Sequence, residues 1–405
     1  MFKQNANKVL MVALQGVASG SNFLLVIILT RVYGLETFGV FSMIWLILIF
    51  TLGLQQSMIL SPLLTLWAKN NDKNIWNGFF QLNLLLAILM ALFAGLFARY
   101  VHLFASKWII DKYSLVIFFM VIVFSMHLFN RRSLINMGYT VFVLLIDSLA
   151  YLPPLVAILV FKPALVTVLI IQVAFMGLAM LIGTLQLKPG FVPLKELKPL
   201  VVDIWKFSSW LLLTGVLQWF SGNFFIVATG TILGASALGI IRLGQSAIGV
   251  FNVFFISLEN RVPFSASRLL SVDGKVKMQR YLTDIFVKGV FVTLLTMGVF
   301  ALASKQLIGF LYGGIYAQYY WVLILFAGLQ LFVFISTLFQ ITIRTVEKTR
   351  IIFLVYLVIT VFSMSLAFPV VRQWGIQGAL AGLYAAQLIG IIIYTITLKL
   401  QWKKI

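Results

Sequence analysis

Arg242 and Asp147 each carry a charge inside a long apolar run of this 405-residue chain. A charge in hydrocarbon is costly, so such a residue faces a polar cavity or a partner. Arg242 lies about seven residues into its run, roughly 10 Å deep by helical rise. Its guanidinium is a planar fork that matches phosphate and carboxylate oxygens. Asp147 lies about eight residues into another run, on the order of 12 Å from the end of that run. It could carry a coupling proton or sodium ion, or pair with an arginine such as Arg242. Other candidates are more peripheral. Arg31 closes the first run, and Lys288 sits about one turn into the ninth, where it can snorkel. Glu259 and Arg261 bracket the inner end of the eighth. Asn22 and Asn223 are among many amides in the runs, each able to line a cavity or to bond between helices.

The residues that are missing narrow the chemistry. Cysteine is absent, which removes disulfides, thiolate nucleophiles and cysteine metal sites. The two histidines, His102 and His127, are too few and too far apart for a metal centre and read as structural. No paired carboxylates, triad or phosphate-cradling loop is present. Neither an enzyme, a metal nor a cofactor is expected.

Twelve apolar runs must position these residues. They cover roughly 9–30, 37–60, 78–98, 113–130, 140–160, 164–186, 207–230, 235–258, 284–303, 319–342, 351–371 and 378–398. About 20 apolar residues span a bilayer core as a helix, so the chain reads as an all-α polytopic membrane protein. Lysine and arginine alternate between the gaps. The two ends and the even-numbered gaps hold 21 of the 30, the odd-numbered gaps seven, and Arg242 and Lys288 lie inside runs. The richer side is expected to be cytoplasmic, with both termini on it. The +20 charge follows topology and forms no contiguous groove, so the basic residues are expected to meet anionic lipid headgroups and not nucleic acid. Lys3 and Lys8 precede an apolar run too long for a signal peptide, with no small-residue cleavage site after it.

The segment 187–206 holds Pro189, Pro193 and Pro199 together with four lysines. It reads as a cytoplasmic linker between two six-helix lobes, residues 1–186 and 207–405, with prolines that prevent a continuous helix. The lobes echo each other. Gly34 and Gly39 match Gly234 and Gly239 at an offset of 200, in the same short turn after the first run of each half. Glycine there supplies positive φ and close backbone approach. Asn22 and Asn223 lie 201 apart, as do Pro62 and Pro263. Six runs per half give the halves one orientation, a parallel repeat with a site between lobes.

The residues Thr30-Arg31-Val32-Tyr33-Gly34-Leu35-Glu36-Thr37-Phe38-Gly39-Val40-Phe41 resemble the Wzx-type polysaccharide flippases. These belong to the multidrug/oligosaccharidyl-lipid/polysaccharide export superfamily. The second-half echo, Ile232-Leu233-Gly234-Ala235-Ser236-Ala237-Leu238-Gly239, is similar to that family as well. The resemblance implies two lobes around a central cavity in a bacterial cytoplasmic membrane. It implies an undecaprenyl-pyrophosphate-linked oligosaccharide as substrate, moved to the outer leaflet by alternating access for O-antigen, capsule or exopolysaccharide synthesis. A polysaccharide polymerase and a chain-length regulator are the partners such a pathway suggests. For that substrate Arg242 and Arg31 are the candidate phosphate ligands, with Asn22 and Asn223 beside them and Asp147 as the coupling residue. Two rival readings fit the residues less well. A multidrug antiporter of the same fold commonly has an acid in run 1 or 7, and neither run has one here. A polyprenyl-dependent glycosyltransferase or polymerase needs an outer-face acid or base, often on a large loop, whereas the outer gaps hold only Glu36 and Asp111 and none is long.

Overall fold

Among the described residues, twelve α-helices are present: α1 (Phe2–Gln55), α2 (Ser61–Asn70), α3 (Lys73–Tyr100), α4 (Ser114–Asn136), α5 (Thr140–Phe161), α6 (Leu165–Leu187), α7 (Leu194–Leu233), α8 (Ala235–Ala247), α9 (Phe251–Val272), α10 (Lys275–Tyr312), α11 (Tyr320–Thr345) and α12 (Arg350–Trp402). The computed structural model describes residues 2–70, 72–249 and 251–402. Lys403 and Lys404 of the C-terminal basic group lie outside the described residues. Two compact units are present, Met1–Val216 and Leu217–Ile405, and the division falls within α7.

Among the described residues, nine helical segments are apolar and long enough to cross a bilayer, which makes this a multi-pass membrane protein. The twelve expected runs map onto them unevenly. Runs 1 and 2 share α1, runs 11 and 12 share α12, and run 8 is divided between α8 and α9. The apolar segments Ala13–Trp67, from α1 into α2, and Arg350–Lys399, in α12, are 55 and 50 residues long and greatly exceed a hydrocarbon core of about 30 Å. Each is broken by one glycine. Gly34 in α1 has φ 81° and ψ 177°, and Gly375 in α12 has φ 58° and ψ −139°. Gly234, between α7 and α8, has φ 94° and ψ −173°. Gly274, before α10, has φ 82° and ψ 175° as well. Gly34 and Gly234 share a conformation that is essentially restricted to glycine.

Helix α3 shows how the packing is built. Its N-cap Asp72 accepts from the Asn74 amide at 2.8 Å, which satisfies one of the free N–H groups of the first turn. Ala87, Ala91, Ala94 and Ala98 form one buried face, and Leu85, Leu89, Phe93 and Leu96 are exposed on the other. Small residues let helix backbones approach, while large apolar ones meet lipid. The principal neighbour of α3 is α4.

Prolines do not stop the helices here, contrary to the expectation for the 187–206 linker. Pro153 and Pro154 lie inside α5, which runs unbroken from Thr140 to Phe161. Packing against α1 and α6 holds it together where two backbone N–H groups are missing. The 187–206 linker is helical from Leu194 onward. The Pro193 carbonyl accepts from the amides of Glu196 and Leu197 at 2.9 and 3.2 Å and so starts α7. Pro199 removes only one hydrogen bond, and the adjacent Leu197 and Leu200 pack over Gly78 of α3.

Candidate functional site: a buried ionic cluster and an unpaired arginine

In the first unit, His127 and Arg131 stand four residues apart on α4 and share a face. Asp147 and Tyr151 stand four apart on α5 in the same way. The four side chains meet between the two helices. Asp147 Oδ2 accepts from Arg131 Nε at 2.7 Å, and Asp147 Oδ1 lies 3.0 Å from His127 Nε2. Asp147 is fully buried, His127 nearly so, and the Arg131 side chain is 16 % exposed. The Tyr151 ring meets the imidazole edge-on, with centroids 6.3 Å apart. A carboxylate only accepts, so Nε2 carries the proton of a neutral His127 and Nδ1 is left as the open position. That Nδ1 is buried and has no partner among the described residues. With His127 neutral, the Asp147 and Arg131 charges cancel.

Sequence reasoning selected Asp147 and allowed it an arginine partner. The arginine is Arg131, not Arg242. By apolar pattern run 4 closes at residue 130, which leaves Arg131 in a basic gap. The helix continues to Asn136. The i,i+4 spacing of His127 and Arg131, with Leu134 and Ile135 following, was the available signal.

In the second unit, Arg242 sits on the short helix α8. Two contacts fix that helix. Tyr312, at the end of α10, lies 2.8 Å from the Ser246 hydroxyl and donates to the Leu243 carbonyl at 3.3 Å. Gly244 lets Val322 of α11 approach so closely that a Cβ would lie 2.7 Å from it. On this base, Arg242 Nη1 donates to Gln245 Oε1 at 2.7 Å, and Nε and Nη2 are buried without a partner. Among the described residues, no carboxylate pairs with it. It is a fixed positive charge with two donors still open.

The other candidates behave differently. Arg31 is exposed three residues before the Gly34 break and has a partner of its own. Asn22 is half-buried on α1. Asn223 donates to the Trp219 carbonyl of its own helix at 3.0 Å, which uses part of its amide locally. Among the described residues, no group of three or more His, Cys, Asp or Glu side chains could hold a metal ion.

The fold is similar to that of solved transporters of the MOP superfamily. A lipid II flippase, MurJ in an inward closed conformation, matches with a TM-score of 0.75 at 13% identity, over 96% of this chain and 87% of that one. An inward-facing multidrug resistance MATE family transporter matches with a TM-score of 0.72 at 12% identity, over 96% of both chains. A MOP superfamily transporter from Pyrococcus furiosus, whose binding pocket is described as of reverse polarity, matches with a TM-score of 0.63 at 12% identity, over 96% of this chain and 94% of that one. No family model and no curated protein matches the sequence.

Proposed function

We propose that the protein is a flippase for an undecaprenyl-pyrophosphate-linked oligosaccharide, working by alternating access in a bacterial cytoplasmic membrane. In this reading the chain crosses the membrane twelve times, and both termini are cytoplasmic. The observation that carries the proposal is Arg242. Its guanidinium is held rigidly by Gln245 and has two buried N–H groups without protein acceptors. A substrate phosphate supplies the missing acceptors and charge. The fold shared with a lipid II flippase supports the same substrate class.

Asp147 is the coupling residue of this proposal. A proton on its carboxylate, or a sodium ion beside it, weakens the bond to Arg131 and frees α4 from α5. A multidrug transporter is the second reading, favoured by a match that covers 96% of both chains. Against it, runs 1 and 7 contain no acidic residue. The test is export of surface polysaccharide in cells carrying Arg242→Gln at unchanged protein level. Export is expected to fall at least tenfold. Undiminished export removes Arg242 from the mechanism. Unaltered polysaccharide in a deletion strain that becomes sensitive to cationic drugs selects the second reading.

A further inference from the structure

The buried cluster of the first unit leaves one polar atom unused. Asp147 Oδ1 lies 3.0 Å from His127 Nε2, and Oδ2 accepts from Arg131 Nε at 2.7 Å. Each carboxylate oxygen therefore already receives an N–H. His127 Nδ1, in contrast, is a buried lone pair that no donor meets among the described residues. The imidazole cannot reach water in this packing, since His127 is only 2 % exposed.

Few other charges bear on the ring. On α4, Arg131 stands one turn away, with Arg132 next to it. On α5, Asp147 and Tyr151 face the imidazole. Helices α1, α3 and α6 pack against α4 or α5. Residues 37–55 of α1, 74–98 of α3 and 165–187 of α6 hold no titratable side chain. Lys73 starts α3 beyond the Arg131 end, where Trp76 donates to Ser133. Arg31, Tyr33 and Glu36 of α1 lie toward the far end of α5, where Tyr33 donates to the Pro163 carbonyl. The turn Asp111–Tyr113 also touches α4, but about 21 Å along the helix from His127.

A proton on Asp147 would cancel the charge that holds two donors. A proton on Nδ1 displaces no contact and makes the bond from Nε2 to Oδ1 charge-assisted, hence stronger. Imidazole is also the side chain that changes charge near neutral pH. We propose that His127 Nδ1 is a proton-binding site whose occupancy loosens the packing of α4 on α5. The proton comes from water and forms one new N–H bond at Nδ1. The cluster then carries one net positive charge and a buried donor that faces no acceptor. Both are costly in a water-free interior, and parting the two helices relieves them by admitting water. The link to transport rests on the coupling role proposed for Asp147 and deepens it. Asp147 orients the ring and fixes its tautomer, and His127 takes the proton.

The chain has no cysteine and two histidines, which suits two readouts on the full chain in nanodiscs. With the exposed His102 changed to Gln, ring-nitrogen NMR follows a single imidazole. Lowering the pH from roughly 8 to 5 is expected to convert it from the form with hydrogen on Nε2 alone to the doubly protonated form. Spin labels on Leu115→Cys and Phe161→Cys, exposed positions near the start of α4 and at the end of α5, are expected to move apart over the same range and to stay in place when His127→Gln is added. A ring whose Nδ1 stays bare throughout, or already carries hydrogen at the alkaline end, overturns the proposal. So does protonation without a change in label distance, or a change that persists with His127→Gln. Neither readout involves transport. A bare Nδ1 with export still lost in Arg242→Gln removes this inference and leaves the flippase reading standing. Protonation with undiminished export in Arg242→Gln does the reverse.

Discussion

Arg131 binds Asp147 across sixteen residues of sequence, from α4 to α5, at 2.7 Å. In the second unit, Gln340 and Tyr356 are also sixteen residues apart, on α11 and α12, and the Tyr356 hydroxyl donates to Gln340 at 3.1 Å. Four residues before Arg131 stands His127, and four before Gln340 stands Ser336, which donates to Gln387 at 3.0 Å. Each unit thus has a polar contact between consecutive helices at the same sequence separation. Only the first unit makes it ionic. A neutral pair holds two helices together at lower desolvation cost than a buried ion pair does. Geometry alone therefore gives no reason for the charges in the first unit, and the proposed function gives them one, as the coupling site.

Replacing Asp147 with Asn or Ala leaves Arg131 largely buried without its counter-ion. The expected cost is about 3–5 kcal/mol. A double variant, Arg131→Met with Asp147→Leu, is expected to regain most of that stability and to transport nothing. Tyr356→Phe removes a neutral bond and is expected to cost about 1 kcal/mol. Thermal unfolding in detergent, run beside a polysaccharide export assay, separates these outcomes. If Asp147→Asn is as stable as the parent and its activity still follows the ion gradient, Asp147 is neither a structural clamp nor the coupling residue.

Arg242 gives the opposite stability signature. Removing a buried charge that no acid pairs with relieves desolvation, so Arg242→Met is expected to melt at or above the parent temperature. Its transport is expected to be lost. Arg242→Lys keeps the charge but loses the planar fork, and is expected to retain partial activity. Concurrent loss of stability and transport in Arg242→Met indicates a structural role instead.

Asp147 and Arg242 were legible in the sequence because a charge within an apolar run is conspicuous and has few bland explanations. Gly34 and Gly234 were legible because the repeat places them in matching turns. Arg131 and His127 were not. Arg131 lies where an apolar run fades into a basic segment, and there a topological lysine or arginine looks the same as a functional one. The helical start at Leu194 was hidden for another reason. Proline disfavours helix locally, but the packing of Leu197 and Leu200 over Gly78, which outweighs that preference, is a tertiary contact between residues far apart in sequence. The division of run 8 was hidden too, since α8 ends at Ala247 among residues with no strong stop signal before Gly249.

Positive φ at Gly34 and Gly234 leads to a paired prediction. Alanine at either position must adopt a conformation that costs about 1–3 kcal/mol. Gly34→Ala and Gly234→Ala are expected to lower the melting temperature by similar amounts, since the two backbones match. A large effect at one position and none at the other would show that the match in dihedral angles does not reflect equivalent constraints.

Glycines inside the helices fall into two groups with opposite predicted signs. A Cβ built on Gly382 of α12 would lie 2.0 Å from the ring of Phe225 on α7, which is fully buried and has no room to turn. Gly382→Ala is therefore expected to destabilise by about 1–3 kcal/mol through overpacking, and Phe225→Leu in the same chain is expected to recover part of that loss. Gly16 and Gly20 of α1 have no atom within 4 Å of a built Cβ. With space available, alanine there gains only its helix propensity, up to about 1 kcal/mol per site. Gly16→Ala and Gly20→Ala are thus expected to raise the melting temperature slightly. Transport adds a second readout. If α1 must approach another helix during the cycle, these two variants will be stable but slow, and a variant that is both more stable and fully active shows that this face of α1 stays uncrowded throughout the cycle.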